Sequence, residues 1–258
     1  MGSLQLLPLY AFISAQQLRD FSQLYRLDGV NTPKAIVVVS AHWITSGHKV
    51  RVSSQKQHTK LLYDYNGFPP HTYELQYNPP GNPELSQRIV DLLKAGGVDA
   101  EVDPKWNFDH GVFIPLKMIY PKADIPVVEI SIDSSYDPEY HVRVGRALTA
   151  LKREGVLLIA SGSSTHNFRA VETHSKRFMQ SLQSILEDRS LSVEERTRRA
   201  ALDWTKIPSA RQAHPEEDHY VPMFVALGAA EDQQAKLVGR VEPPGDWHCA
   251  SFLFESPQ

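Results

Sequence analysis

Lys34 to Trp43 reads KAIVVVSAHW. Ala35 to Val39 are five apolar residues in a row, most of them β-branched. Such a run predicts a short strand buried on both faces. Downstream, Asn82-Pro83 opens a helix, because Asn is a good N-cap and Pro suits the first helical position. Leu85, Ile89, Leu92 and Leu93 fall on one face of it, and Gly96-Gly97 ends it. Asp124 to Asp133 (DIPVVEISID) reads as a second strand. Asp137 to Glu154 follows as a helix with Val142, Leu148 and Leu151 on its apolar stripe. Gly155 stops that helix, and Val156 to Ser161 (VLLIAS) is a third buried strand. Strand, helix, strand, helix, strand predicts an α/β fold, a central mostly parallel sheet with helices on both faces.

The chain has 258 residues, a length that suits one α/β domain. Ser175 to Glu187 and Ser192 to Trp204 read as surface helices, the charges of Glu194, Glu195, Arg196, Arg198 and Arg199 forming a solvated face. His219 to Ala230 is a short apolar helix with Pro222 in its first turn, where proline is tolerated. Glu242 to Phe254 returns as a last strand. Gly67 to Asn82 is a loop, too short for a domain linker.

Composition excludes several classes of function. Lys and Arg number 27 against 30 Asp and Glu, a formal charge of −3, which argues against a surface that coats nucleic acid. A single cysteine, Cys249, rules out a disulfide framework and an all-cysteine zinc site; next to Trp247 and His248 it has no obvious activating partner and reads as inert. Eleven histidines leave imidazole and carboxylate as the available metal ligands. No apolar stretch is long enough for a transmembrane helix. The apolar run Leu4 to Ile13 lacks a basic flank and a cleavage site, and Leu6 stands where a myristoylation signal needs Ser or Thr. The expectation is a cytoplasmic protein.

Position says more than count. His42 lies at the carboxyl end of the first strand, Asp133, Ser134 and Ser135 at that of the second, and Ser161 to His166 just past the third. In open α/β sheets ligands bind outside the carboxyl ends of the strands, so the three clusters are predicted to converge on one crevice. His219, inside HPEEDHYVP (His214 to Pro222), adds a third imidazole. Singly, each histidine also fits a structural role, and Glu216, Glu217 and Asp218 also suit the positive end of a helix. Together with nearby carboxylates, three histidines suit Zn²⁺ or Fe²⁺ with an open position. Asp109-His110-Gly111 follows Trp106 and Phe108 and can hydrogen-bond a phenolic substrate, or form a simple loop pair. Tyr63, Asp64, Tyr65 and Phe68 wall a pocket for a flat ring, or pack as a self-contained loop.

Five segments in order, KAIVVVSAHW, YNGFPPHTYELQYNPPGNPEL, FDHGVFIPLKMIYPKADIPVVEISID, ASGSSTHNFR and DWTKIPSARQAHPEEDHYVPMFVALGAA, resemble the class III extradiol ring-cleaving dioxygenases, the 4,5-DOPA dioxygenase group. The resemblance runs from about Pro33 to Asp232. It implies a single catalytic domain over 1–258 with an atypical stretch at 1–32. It also implies one non-haem ion per chain, Fe²⁺ for catalysis and often Zn²⁺, with a catechol such as DOPA and O₂ as substrates. His42, His166 and His219 fall on metal positions, His166 being also the natural acid/base. His110 falls near the substrate and is the second catalytic candidate.

The chain departs from the family in two places. The relatives carry a segment like FISHGSP whose histidine is a further ligand. Here Phe12-Ile13-Ser14 is followed by Ala15-Gln16-Gln17-Leu18, and no histidine precedes His42. HPEEDH also carries Glu216 in place of a basic residue and Asp218 in place of a glutamate, the second change keeping the charge. Loss of a ligand predicts a weaker site. It raises the alternative of a catalytically impaired metal-binding relative, or of a site completed by Glu217 or Asp218. A metal-dependent hydrolase on a similar scaffold is the third expectation.

Overall fold

Consecutive residues of the KAIVVVSAHW run enter two different cores. Ile36 and Val38 pack with Phe108, Val112, Phe113 and Leu116. Val37 and Val39 pack with Val128, Ile130, Met223 and Phe224. Side chains alternate along a strand, so a strand with a core on each side must be apolar at every position. The computed structural model describes residues 7–10, 33–167, 169, 172–230, 233–241 and 249–255. The Phe12 to Leu18 departure and the 242–248 part of the expected last strand lie outside the described residues.

The strands are β1 (Leu7–Tyr10), β2 (Ala35–Thr45), β3 (Lys49–Ser53), β4 (Asp99–Asp103), β5 (Val127–Asp133), β6 (Val156–Gly162), β7 (Gln234–Val241) and β8 (Cys249–Glu255). The first six form one sheet in the order β1-β6-β2-β5-β3-β4, and β7 and β8 form a separate antiparallel pair. Within the large sheet only the β3–β5 pairing is antiparallel. The mostly parallel α/β sheet read from the sequence is therefore the fold. The helices are α1 (Pro83–Ala95), α2 (His110–Ile119), α3 (Pro138–Leu148), α4 (Glu172–Glu187), α5 (Val193–Thr197), α6 (Ala210–Ala213) and α7 (Val221–Ala230).

Local chemistry sets the helix ends. Asn82 Oδ1 accepts from the Leu85 amide at 3.0 Å and Asp137 Oδ1 from the Glu139 amide at 2.9 Å, in each case with Pro at the next position. Every residue of α7 is buried, so the helix carries no polar face. It lies against α3 across two glycines. A Cβ on Gly145 would come within 2.0 Å of the Val225 carbonyl, and one on Gly228 within 2.1 Å of the Val142 carbonyl. Glycine at these two positions lets the helix backbones touch.

Two expectations change. Ser192 to Trp204 is not one helix: α5 gives way to a wide π-turn at Arg198–Leu202 and a 3₁₀ turn at Trp204–Lys206. Nor is its charge all solvated. Arg196 is buried, its Nη1 donating to the Gln233 carbonyl at 3.0 Å and its Nη2 to Gln234 Oε1 at 2.9 Å. The start of β7 supplies acceptors that the sequence of the helix does not reveal. Arg198 and Arg199 do stay outside, paired with Glu195.

Candidate metal centre

Four separate segments deliver the side chains. In β2, Ser40 and His42 follow Ile36 and Val38 on the same face, and the pairing with β5 shifts register between Val39 and Ile44. Asp109 caps α2: its Oδ1 accepts from the Gly111 amide at 2.8 Å and from Ser40 Oγ at 2.9 Å. The cap pins the first turn of α2, and His110 with it, to β2. The loop before it is tied in by the Leu62 amide donating to the Phe108 carbonyl at 2.8 Å, which brings Asp64 alongside. Past β6, the Ser163 amide donates to the His219 carbonyl and the His166 amide to the Ala213 carbonyl, both at 2.9 Å. Those bonds join the loop after the third predicted strand to the HPEEDH segment.

The histidines meet. His42 Nε2 and His219 Nε2 are 3.2 Å apart, and the two rings stand edge-on with an interplanar angle of 89°. The opposite nitrogen of each ring is held by a carboxylate: His42 Nδ1 to Asp64 Oδ2 at 3.0 Å, His219 Nδ1 to Asp218 Oδ2 at 2.8 Å. Asp64 also takes His110 through its other oxygen, Oδ1 lying 2.8 Å from the ring Nδ1 and 3.0 Å from the backbone amide. The His110 and His42 ring centroids are 4.0 Å apart. His166 stacks on His219, centroids 3.4 Å apart and planes within 16°. His42, Asp64 and His110 each leave about a fifth of the side chain open to solvent, whereas His219 leaves 8%.

Electrostatics follow the burial and the partners. For His42, burial disfavours charge, but the hydrogen bond to Asp64 and the charges of Asp109, Asp64 and Asp218 outweigh it and raise the pKa above the ordinary imidazole value. For His219 burial prevails over Asp218 and lowers it. Burial, with the neighbouring His219 and His42, lowers His166 to about 4. Burial pushes Asp64 upward, but the bonds from His110 and His42 prevail and hold its carboxyl far below the usual carboxylate range.

Of the residues expected at the crevice, His42, His166, His219 and His110 are brought together. Asp133 is not: its carboxylate accepts from the backbone amides of His48 at 2.9 Å and Ser135 at 2.9 Å. Ser134 instead borders a groove of about 390 Å³ with Trp43, Thr45, Arg51 and Trp106. Beyond the register shift β2 and β5 pair on, Ile44 with Ile132 and Thr45 with Asp133, so Asp133 lies at the far end of β2, past His42. The hydroxyls at the end of β6 and just past it are used within the fold, Ser161 donating to the Gly111 carbonyl and Ser164 accepting from the Ala250 amide. Glu217 pairs with Arg211 at 2.8 Å. The aromatic loop is largely self-contained, Tyr65 bonding to the Thr72 carbonyl and Tyr73 to the Tyr65 carbonyl, while the Tyr65 ring also stands edge-on to His110. Asp64, which the sequence offered only as part of a pocket wall, proves to be the carboxylate partner of His42 and His110. The one available signal was a lone carboxylate inside an otherwise aromatic stretch.

The donor set fits a divalent ion. Two imidazole nitrogens bound tetrahedrally at about 2.0–2.1 Å lie roughly 3.3 Å apart, close to the separation of the His42 and His219 nitrogens. A carboxylate on the far ring nitrogen is the support that metal-binding histidines usually have, and it leaves the Nε2 lone pair for the ion. His166, Asp218 and His219 offer donor atoms within 4.8 Å of one another, as do His42, Asp64 and His110. Asp218 Oδ1 is buried without a hydrogen-bond partner among the described residues, a group left for a cation to satisfy.

Comparison with known proteins decides the family. Residues 18–245 match the catalytic LigB subunit of aromatic ring-opening dioxygenase. The chain belongs to the LigB family. This LigB chain is 38% identical over 233 residues to the 4,5-DOPA dioxygenase extradiol of Beta vulgaris, covering 87% of this chain and 84% of the relative. It is 35% identical over 206 residues to the Escherichia coli protein of the same name, covering 78% and 74%. The crystal structure of an uncharacterised Escherichia coli K12 protein superposes with a TM-score of 0.75 at 28% identity, covering 98% of this chain and 99% of that one. LigB proteins are extradiol ring-cleaving dioxygenases that use a non-haem metal. Among the described residues no helix is long and apolar enough to cross a membrane.

Proposed function

We propose that this LigB chain opens the ring of a catechol such as DOPA with O₂, at an Fe²⁺ held by His42, His166 and His219. The observation that carries the reading is the approach of two Nε2 atoms, each ring backed by its own carboxylate. Asp218 is the candidate for a further ligand, because Oδ1 stays unpartnered while Oδ2 supports His219. Two histidines and a carboxylate are a known Fe²⁺ donor set. Zn²⁺ would fit the same nitrogens. When bound, the ion supplies a common anchor for catechol and O₂ and a path for electrons between them.

The chain's own residues supply protons and orientation. Asp64 receives His110 Nδ1–H and so leaves His110 Nε2 as the proton acceptor. His110 is then the base for a catechol hydroxyl, and Asp64 stabilises the imidazolium that forms. His166, whose lowered pKa keeps it neutral, is the second candidate for proton transfer. Where His166 serves as a tight ligand, His110 carries both proton steps. The partly open face of His42, Asp64 and His110, beside the Tyr65 ring, is where a flat aromatic substrate enters.

The test is anaerobic loading with Fe²⁺, then addition of DOPA and oxygen. Stoichiometric oxygen uptake with a coloured ring-opened product is expected, and its loss in His110→Ala with iron retained. A folded, iron-loaded protein that consumes no oxygen with any catechol would overturn the reading in favour of an impaired metal-binding relative.

A further inference from the structure

Glu129 is a carboxyl group in the middle of the apolar sheet. It lies in β5, paired in register with Val38 of β2, and is wholly buried. Its strand neighbour Val127 belongs to the core beneath α2, so by alternation Glu129 faces the same side, toward the start of that helix. Both its oxygens lack a hydrogen-bond partner among the described residues, and so do Asp109 Oδ2 and Trp106 Nε1. Asp109 is tied to the same place: its Oδ1 accepts from Ser40, two residues along β2 from Val38, the register partner of Glu129. After burial, Asp109 and Trp106 are the side chains that bear most on the Glu129 carboxyl, Asp64 acting more weakly. No cation is among the groups that act on it.

Two buried carboxylates side by side, without a cation, cannot both be ionised. We propose that Glu129 is a positioning residue for the metal centre: its carboxyl keeps a proton and donates it to Asp109 Oδ2. The Trp106 indole N–H donates in turn to a Glu129 oxygen, so that one proton and one indole hydrogen satisfy all four atoms. Burial, reinforced by the Asp109 charge and opposed by Trp106, pushes the Glu129 carboxyl well above the carboxylate range, in accord with this arrangement. The consequence lies at the other oxygen of Asp109. Oδ1 holds Ser40 Oγ and the Gly111 amide, and Ser40 Oγ accepts from the His42 amide at 3.2 Å. Glu129 therefore fixes, through Asp109, the backbone that presents His42 and His110. The role holds whichever ion or substrate the site takes.

Glu129→Gln keeps a donor of the same shape, whereas Glu129→Leu keeps the volume and removes the donor. The infrared difference between wild type and E129Q at neutral pH should show a protonated-carboxyl stretch in the wild type alone. The ring NMR signals of His42 and His110 should be unchanged in E129Q and shifted in E129L. Zinc affinity, as a second readout, should stay within roughly twofold in E129Q and fall about 10–100-fold in E129L. Absence of the carboxyl band overturns the proposal, as do unshifted histidine signals in E129L. If E129L does not fold, an E129Q variant with displaced histidine signals overturns it equally. The band and the ring signals are read without metal, so they separate this proposal from the metal reading.

Discussion

His42 Nε2 and His219 Nε2, 177 positions apart in the chain, meet at 3.2 Å. Neither ring can turn away, because each is held at Nδ1 by a carboxylate from its own side of the site. Without a cation the pair needs one proton between the two nitrogens. His42, with the raised pKa, is the ring that carries it, and His219, with the lowered one, is the acceptor.

Zinc binding should therefore compete with that proton. Ligating nitrogens must be deprotonated, so binding displaces the proton from His42. A group whose pKa is raised holds its proton up to a higher pH, and apparent zinc affinity should climb as pH rises through and beyond the ordinary imidazole value of 6.5. Titration calorimetry in buffers of different ionisation enthalpy reads the proton release directly. Affinity independent of pH, with no proton released, would remove His42 from the ligand set.

Asp64→Asn should damage the site without unfolding the protein. One carboxylate now serves His42 Nδ1, His110 Nδ1 and the His110 amide. An amide presents one acceptor oxygen and turns a donor toward the other ring, forcing it into the wrong tautomer. Zinc affinity should fall about 10–100-fold, the usual cost of losing such a supporting group. Ring-opening activity should fall further, because His110 loses the partner that stabilises its charged form. Unchanged affinity and turnover would show that Asp64 is only part of the loop.

Gly111→Ala tests how tightly β2 and α2 are fitted together. The added methyl would lie 2.8 Å from Ser40 Oγ, 3.0 Å from Asp109 Oδ1 and 3.2 Å from His42 Cδ2. The first two belong to the cap of α2 and cannot both yield. A destabilisation of about 1–3 kcal/mol is expected from overpacking, together with weakened metal binding as His42 shifts. Denaturant titration and zinc titration read the two effects, and a variant as stable as wild type would place more slack at this junction than the distances allow.

Periodicity revealed the long elements and missed the short ones. Residues 35–39 of β2 and 156–160 of β6 are apolar throughout because a core lies on each side of them, whereas β5 alternates apolar residues with Glu129, Ser131 and Asp133. β3 and β4 are five residues each near the sheet edge, and DAEVD has too few apolar positions to read as a strand. The rule that ligands gather at strand ends led to His42 and His166 but also to Asp133, which caps its own loop instead. Asp133 pairs with Thr45, three residues beyond His42 in β2, and that register is not written in local sequence. Asp64 was named with the aromatic loop, but its role was illegible for a related reason: its place is set by a backbone bond between Leu62 and Phe108, a contact across 46 residues. Glu129 showed itself only as one acidic residue in an apolar strand.

Two buried histidines whose hydrogen bonds go to backbone rather than to a carboxylate give the stability curve its acid side. Burial lowers His58, stacked on Phe108, to about 4 and His214 to about 3. In the unfolded chain both titrate near 6.5. Between those values the unfolded state binds protons that the folded state refuses, so each histidine favours folding above pH 6.5 and withdraws that support as pH falls toward its folded pKa. The slope is at most about 1.4 kcal/mol per pH unit for each. His42 and Glu129, whose pKa values are raised, act in the opposite direction, so the wild-type curve alone does not isolate the effect. The difference between wild type and His58→Phe does. That difference, measured by denaturant unfolding, should be constant above pH 6.5 and shift in favour of the phenylalanine variant as pH is lowered to about 4. A difference that stays flat across that window would mean that His58 accepts a proton in the folded state, which its place against Phe108 forbids.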